Sequence, residues 1–150
     1  MSQYPDSEGG WTFIETLIVI AIILILSTSV GFMAFRYIDR AKEVSARSQI
    51  ETYALALDSY YMDMGSYPTA DQGLSVLWQK PSDSSAEGVP AGMGWRGPYI
   101  NKPVGPDPWG RPYEYSCPGV SGLPYGIRSL GADGREGGEG ANADISSWEK

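Results

Sequence analysis

Two sets of side chains in this 150-residue sequence stand where they could do chemistry. The first is a single carboxylate, Glu15, the only ionisable group from Trp11 to Phe35, just ahead of an unbroken Leu, Ile, Val and Ala run from Leu17 to Leu26. A carboxylate at bilayer depth costs about 2.5–3.5 kcal/mol on insertion scales, so an acid there reads as functional. The second set is the stretch 131–144, where Asp133, Glu136, Glu139, Asn142 and Asp144 stand among glycines with only Arg135 opposing them. Oxygen donors on a flexible backbone suit calcium, which takes roughly six to eight hard ligands in loose geometry. The spacing is not that of an EF-hand, because Arg135 takes the place of the second acidic ligand. A disordered acidic tail has the same composition, so residue types alone leave both readings open.

Other chemistries are excluded early. There is no His, and Cys117 is the only cysteine, so neither an internal disulfide nor a Cys/His metal cluster is available. Without a base to activate it, that thiol reads as a small buried or strand residue. A net charge of -7, with no basic run, argues against a nucleic-acid partner. No phosphate-cradling G-x-x-x-x-G-K-[ST] loop occurs either, and no enzymatic activity is expected.

The elements that must position these residues follow from periodicity. Residues 11–35 form a membrane-grade helix: 25 positions at about 1.5 Å each reach about 37 Å, against a hydrocarbon core of about 30 Å. Arg36 marks the return to water. A secretory signal would need a basic segment before a shorter apolar core, whereas residues 1–10 are acidic and end in Gly9-Gly10. Beyond Arg36 the apolar residues narrow to one stripe, Ala46, Ile50, Tyr53, Ala54, Leu57, Tyr61 and Met64, at amphipathic-helix spacing. With no Pro between Trp11 and Met64, the helix is expected to run unbroken to Gly65, about 80 Å in all.

The segment after Gly65 is turn-rich. Thr69 and Gln72 read as a capping box opening a short helix to about Lys80, with Leu74, Leu77 and Trp78 facing inward. Pro81 stops it, and residues 82–94 read as an exposed loop. Strand-like segments follow at 97–101, 112–117 and 125–130, with a tight turn at Asp107-Pro108-Trp109-Gly110. The fold class expected is α+β: a long N-terminal helix on a small three-stranded antiparallel sheet. One compact head fits the length.

The order of these motifs resembles a known family. A polar leader ending in Gly10, then Trp11-Thr12-Phe13-Ile14-Glu15, then the apolar run, is similar to the signal of type IV pilins and pseudopilins. The head motifs are Gly65-Ser66-Tyr67-Pro68-Thr69, Gln72-Gly73-Leu74, Asp107-Pro108-Trp109-Gly110 with Pro112, Tyr113 and Tyr115, Ser129-Leu130-Gly131-Ala132-Asp133-Gly134, and Asp144-Ile145 with Trp148. They resemble the major pseudopilins of type II secretion systems in particular.

The resemblance implies a type IV pilin-like fold divided into a cleaved leader (1–10), a transmembrane or filament-core half-helix (11–35) and a periplasmic head (36–150). It implies that a prepilin peptidase cuts between Gly10 and Trp11 and methylates the new N-terminus. Glu15, fifth from that cut, would then pair with the N-terminal amine of a neighbouring subunit. It further implies a calcium-binding loop using the Leu130 carbonyl, Asp133 and Asp144. Ala143 stands where another aspartate is usual, leaving Asn142 or Glu139 to supply the remaining oxygen. The partners implied are copies of the same chain, minor pseudopilins, the inner-membrane assembly platform and the membrane itself. The location implied is the bacterial inner membrane, crossed once, with the head in a periplasmic pseudopilus expected to drive export of folded proteins. The positive-inside rule alone, reading Arg36, Arg40, Lys42 and Arg47, would favour a cytoplasmic head, although Asp39 and Glu43 dilute that cluster. A type IV or competence-type pilus subunit is the alternative.

Overall fold

The computed structural model describes residues 11–81 and 94–149; the side chains of 29–35 lie outside the description too. The expected leader, with Gly10, and nearly all of the expected loop after Pro81 therefore lie outside the described residues. The chain divides into two units, 1–38 and 39–150, which share one helix, α1, Phe13–Met64.

In the first unit α1 opens on Thr12. Its carbonyl accepts from the amides of Glu15 and Thr16, and its Oγ1 also accepts from the Glu15 amide at 3.3 Å. Those contacts satisfy donors that a helix start leaves without partners. The described side chains Trp11–Thr28 are all exposed, among them Phe13 at 80% and Ile25 at 67%. Two threonine hydroxyls in this stretch turn back onto the helix: Thr16 donates to the Phe13 carbonyl and Thr28 to the Leu24 carbonyl, each at 2.8 Å, so neither needs water. Among the described residues no helix is long and apolar enough to cross a membrane. The apolar part with described side chains, residues 13–28, covers only about 24 Å.

The second unit is the head. Its α1 face buries Ala46, Ile50, Tyr53, Ala56, Leu57 and Tyr60. The expected stripe holds at Ala46, Ile50, Tyr53 and Leu57. It fails at Tyr61, which is 45% exposed, while Tyr60 and Ala56 go inside. Steps of four and three from Ala46 lead to Tyr60, and Tyr61 falls one position outside that seam. Instead it stacks on Tyr67 with ring centres 4.7 Å apart. Gly65 ends the helix with φ of 77° and its amide on the Tyr61 carbonyl, a left-handed cap that a side chain would disfavour.

The Thr69/Gln72 capping box forms as expected: Thr69 N donates to Gln72 Oε1, and Gln72 N donates to Thr69 Oγ1. The helix it opens is shorter and tighter than expected, a 3-10 helix Gly73–Leu77 that buries Leu74, Val76 and Leu77.

Three strands form one antiparallel sheet in chain order: β1 (Glu114–Ser116), β2 (Gly126–Ser129) and β3 (Ile145–Ser146). Two lie within expected segments. The third does not, because 97–101 forms no strand. Tyr99 N donates to the Leu77 carbonyl and, just ahead of the segment, Trp95 Nε1 donates to the Val76 carbonyl, so residues 95–99 clip the 3-10 helix rather than joining the sheet. Its place is taken by Ile145–Ser146, paired to β2 through Ser129↔Ile145 and Arg128↔Ser146. Ile127 and Ile145 belong to the same buried core as the α1 stripe.

Candidate assembly and cation-binding sites

At the N-terminus the structure places Trp11 outside the helix, 72% exposed, with Glu15 in the first turn of α1. A carboxylate there is favoured by the unpaired amides of the helix start. Among the described residues nothing in the chain covers this apolar end.

The second site grows from the β2–β3 connection. Because Ser129 pairs with Ile145, the next residues out, Leu130 and Asp144, are brought face to face, and the strands close residues 130–144 into a loop. Gly131 makes the first bend with φ of 61°; a Cβ on it would lie 2.7 Å from the Ala143 carbonyl, so only glycine fits. The loop is tied across itself. Ala132 N donates to the Ala141 carbonyl, Gly134 N to Leu130, Asn142 N to Glu139 and Ala143 N to Gly140.

The expected ligands are only partly gathered. Leu130 and Asp144 are neighbours through the strand register. Asp133 is exposed, and its Oδ1 accepts from the Arg135 amide at 3.0 Å, a local turn of its own. Asn142 and Glu139 are exposed. Among the described residues no three His, Cys, Asp or Glu side chains converge as a metal-holding group. Asp144 itself fits a hard cation. Its Oδ2 accepts from Gly137 N at 3.1 Å, while its Oδ1 is buried without a hydrogen-bond partner. A buried orphan oxygen is costly, and a cation is one way to satisfy it. Any further donors would have to be carbonyls or rearranged side chains.

Sequence reasoning read Asp107 only as part of a turn. In the structure it is 3% exposed; Oδ1 accepts from the amides of Trp109 and Arg111, and Oδ2 from Ser129 Oγ. Arg111 Nη1 in turn donates to the carbonyls of Gly131, at 2.6 Å, and Ala132, at 3.0 Å. The turn at 107–110 thus anchors the entrance of the loop. The adjacency of Asp107-Pro108-Trp109-Gly110 and Ser129-Leu130-Gly131 in the motif set was the available signal, but nothing in the spacing pairs them.

Comparison with known proteins fits this geometry. The family model for type II secretion system protein G matches residues 33–148. The type II secretion system core protein G of Pseudomonas aeruginosa is 39% identical over 142 residues, covering 95% of this chain and 96% of that protein. That of Vibrio cholerae is also 39% identical, covering 94% and 92%. Among solved structures, the major pseudopilin from the type 2 secretion system of enterohaemorrhagic Escherichia coli is 33% identical with a TM-score of 0.57, covering 73% of this chain and 89% of that one. With the cap before Glu15, the short antiparallel sheet and the β2–β3 loop all in place, the chain belongs to the type II secretion system protein G family and is a pseudopilus subunit of that system.

Proposed function

We propose that the chain works as the major subunit of a periplasmic pseudopilus, held in the inner membrane by residues 11–35 before assembly and polymerising through that same helix. The observation that carries this reading is the exposure of every described side chain from Trp11 to Thr28, mostly apolar and with one carboxylate, Glu15, near its start. Lipid covers such a surface in the membrane, and copies of the same helix cover it in a filament. Glu15 would be matched by the amine freed when a prepilin peptidase cuts between Gly10 and Trp11. That pairing offsets the burial of both charges and sets the register between subunits. The role is structural, with minor pseudopilins and an inner-membrane platform as partners.

In the head, calcium would be held by Asp144 with the Leu130 carbonyl, Asp133 and Asn142. The orphan oxygen of Asp144 supports this reading. When bound, the ion would neutralise the loop's carboxylates and tie its exit to its entrance.

The test of the assembly reading is the mature mass of the membrane-bound chain, followed by filament recovery on shearing. A mass beginning at Trp11 and sheared polymers are expected. An uncut chain, or a cut chain that never forms polymers when the whole secretion system is expressed, would overturn it.

A further inference from the structure

The guanidinium of Arg128 sits among three carboxylates from three places. Nη2 lies 2.8 Å from Glu114 Oε2 on β1, and Nη1 lies 2.7 Å from Glu136 Oε1 in the loop and 3.6 Å from Asp144 Oδ2 beside β3. Strand geometry dictates this position. Alternation along β2 sends Ile127 and Ser129 into the core and Arg128 to the other face, with Glu114 and Ser146 opposite it on the neighbouring strands. Glu136 is 79% exposed, but the Arg128 and Asp144 side chains are only 24% and 15% exposed, so their attraction is the less screened one. At the loop entrance Arg111 likewise holds the carbonyls of Gly131 and Ala132. Arginines from outside the loop thus stand against oxygens at both its ends, where a metal ion would look for ligands.

We propose that Arg128 is a resident counter-cation of the 130–144 loop, holding Asp144 and Glu136 to the sheet without a metal and competing with a divalent cation for Asp144. The competition rests on the calcium reading above; the bracing does not. An ion that takes Asp144 brings two positive charges up to a guanidinium that stays protonated at any working pH. Either Arg128 turns away and gives up a contact, or the ion binds more weakly. The chain therefore gains a closed loop in the absence of metal and loses affinity for it.

The test uses the full chain in detergent micelles as wild type, Arg128→Gln, Arg128→Lys and Asp144→Asn, melted in chelator and titrated with calcium chloride. In chelator Arg128→Gln is expected to melt about 3–6 °C lower. It should also bind calcium about tenfold more tightly, the sign expected when a neighbouring positive charge is removed. Arg128→Lys should keep the wild-type calcium affinity while recovering part of the melting temperature. In an Asp144→Asn background Arg128→Gln should lose part of its effect on melting, because one of its three carboxylate partners is gone while Glu114 and Glu136 remain. An unchanged melting temperature in chelator for Arg128→Gln overturns the brace, and an unchanged or weaker calcium affinity overturns the competition. If neither wild type nor Arg128→Gln binds calcium, the calcium reading fails and takes the competition with it; the brace is then judged on the chelated melts alone. Should Arg128→Gln not fold, Arg128→Lys decides: if adding Asp144→Asn to it leaves the chelated melt unchanged, the pairing with Asp144 is absent and the proposal is sunk.

Discussion

Ser129 donates its hydroxyl proton to Asp107 Oδ2 at 2.6 Å, and both residues are almost fully buried. The other oxygen of Asp107 takes the amides of Trp109 and Arg111, so one carboxylate joins the 107–110 turn to the last residue of β2. Asp107→Ala strands a hydroxyl and two amides, and we expect it to cost about 3 kcal/mol in denaturant unfolding of the head. Ser129→Ala should cost about half that. If Asp107→Ala unfolds at the wild-type denaturant midpoint, the link is not structural.

Processing gives the next expectation. Replacing Gly10 with Leu should leave uncut precursor in the membrane, read as the intact mass of the purified chain. Recovery of a chain beginning at Trp11 from that variant would remove the basis for the leader assignment.

Glu15→Ala should insert into the membrane at least as well as wild type, since the charge penalty of about 2.5–3.5 kcal/mol is gone. Filament growth should nevertheless fail, because the neighbouring amine loses its partner. Normal yields of sheared polymer from Glu15→Ala would show that Glu15 plays no pairing role.

Chelation should lower the melting temperature of the full chain and open the 130–144 loop to protease. An ion binding only the folded form stabilises it by about 2.7 kcal/mol at a hundredfold excess over Kd. Asp144→Ala should lose the response to calcium, and Ala143→Asp should strengthen it by restoring a carboxylate beside the loop exit. Equal melting temperatures in calcium and in chelator, for wild type and Ala143→Asp alike, would return the loop to a purely protein-held structure.

The head should also weaken in alkali. Burial raises Tyr113 and Tyr115 above the ordinary tyrosine value and pushes Tyr125 up to about 12. A buried phenol that resists ionisation keeps its proton when the unfolded chain has lost it. Stability is then fully present below the ordinary value of 10.0 and is lost as pH rises from there toward about 12. Ultraviolet phenolate absorbance should rise together with unfolding across that window, and an early, separate phenolate signal from these tyrosines would contradict their burial.

Local and periodic signals made much of this legible in the sequence. The long helix, its end at Gly65, the Thr69/Gln72 box and the β1 and β2 segments each depend on neighbours within a few residues. What escaped depends on partners far along the chain. Residues 97–101 look like a strand, but Tyr99 finds the Leu77 carbonyl instead. Ile145–Ser146 is too short to register as a strand until β2 pairs with it. Choosing Tyr60 over Tyr61 required knowing which way the seam advances. At the loop, composition revealed the acids but not the arginines that hold them, since Arg111 and Arg128 come from outside the segment.

The pairing of Ser129 with Ile145 fixes the two ends of the 130–144 loop before the loop itself has to do anything. In polymer terms its tip is a tether between anchored posts, and lengthening such a tether costs only with the logarithm of its length. Adding eight residues beside the exposed Glu139 and Gly140 would cost about 0.4 kcal/mol in closure entropy. That makes the tip a place where a small epitope can be carried without disturbing the sheet.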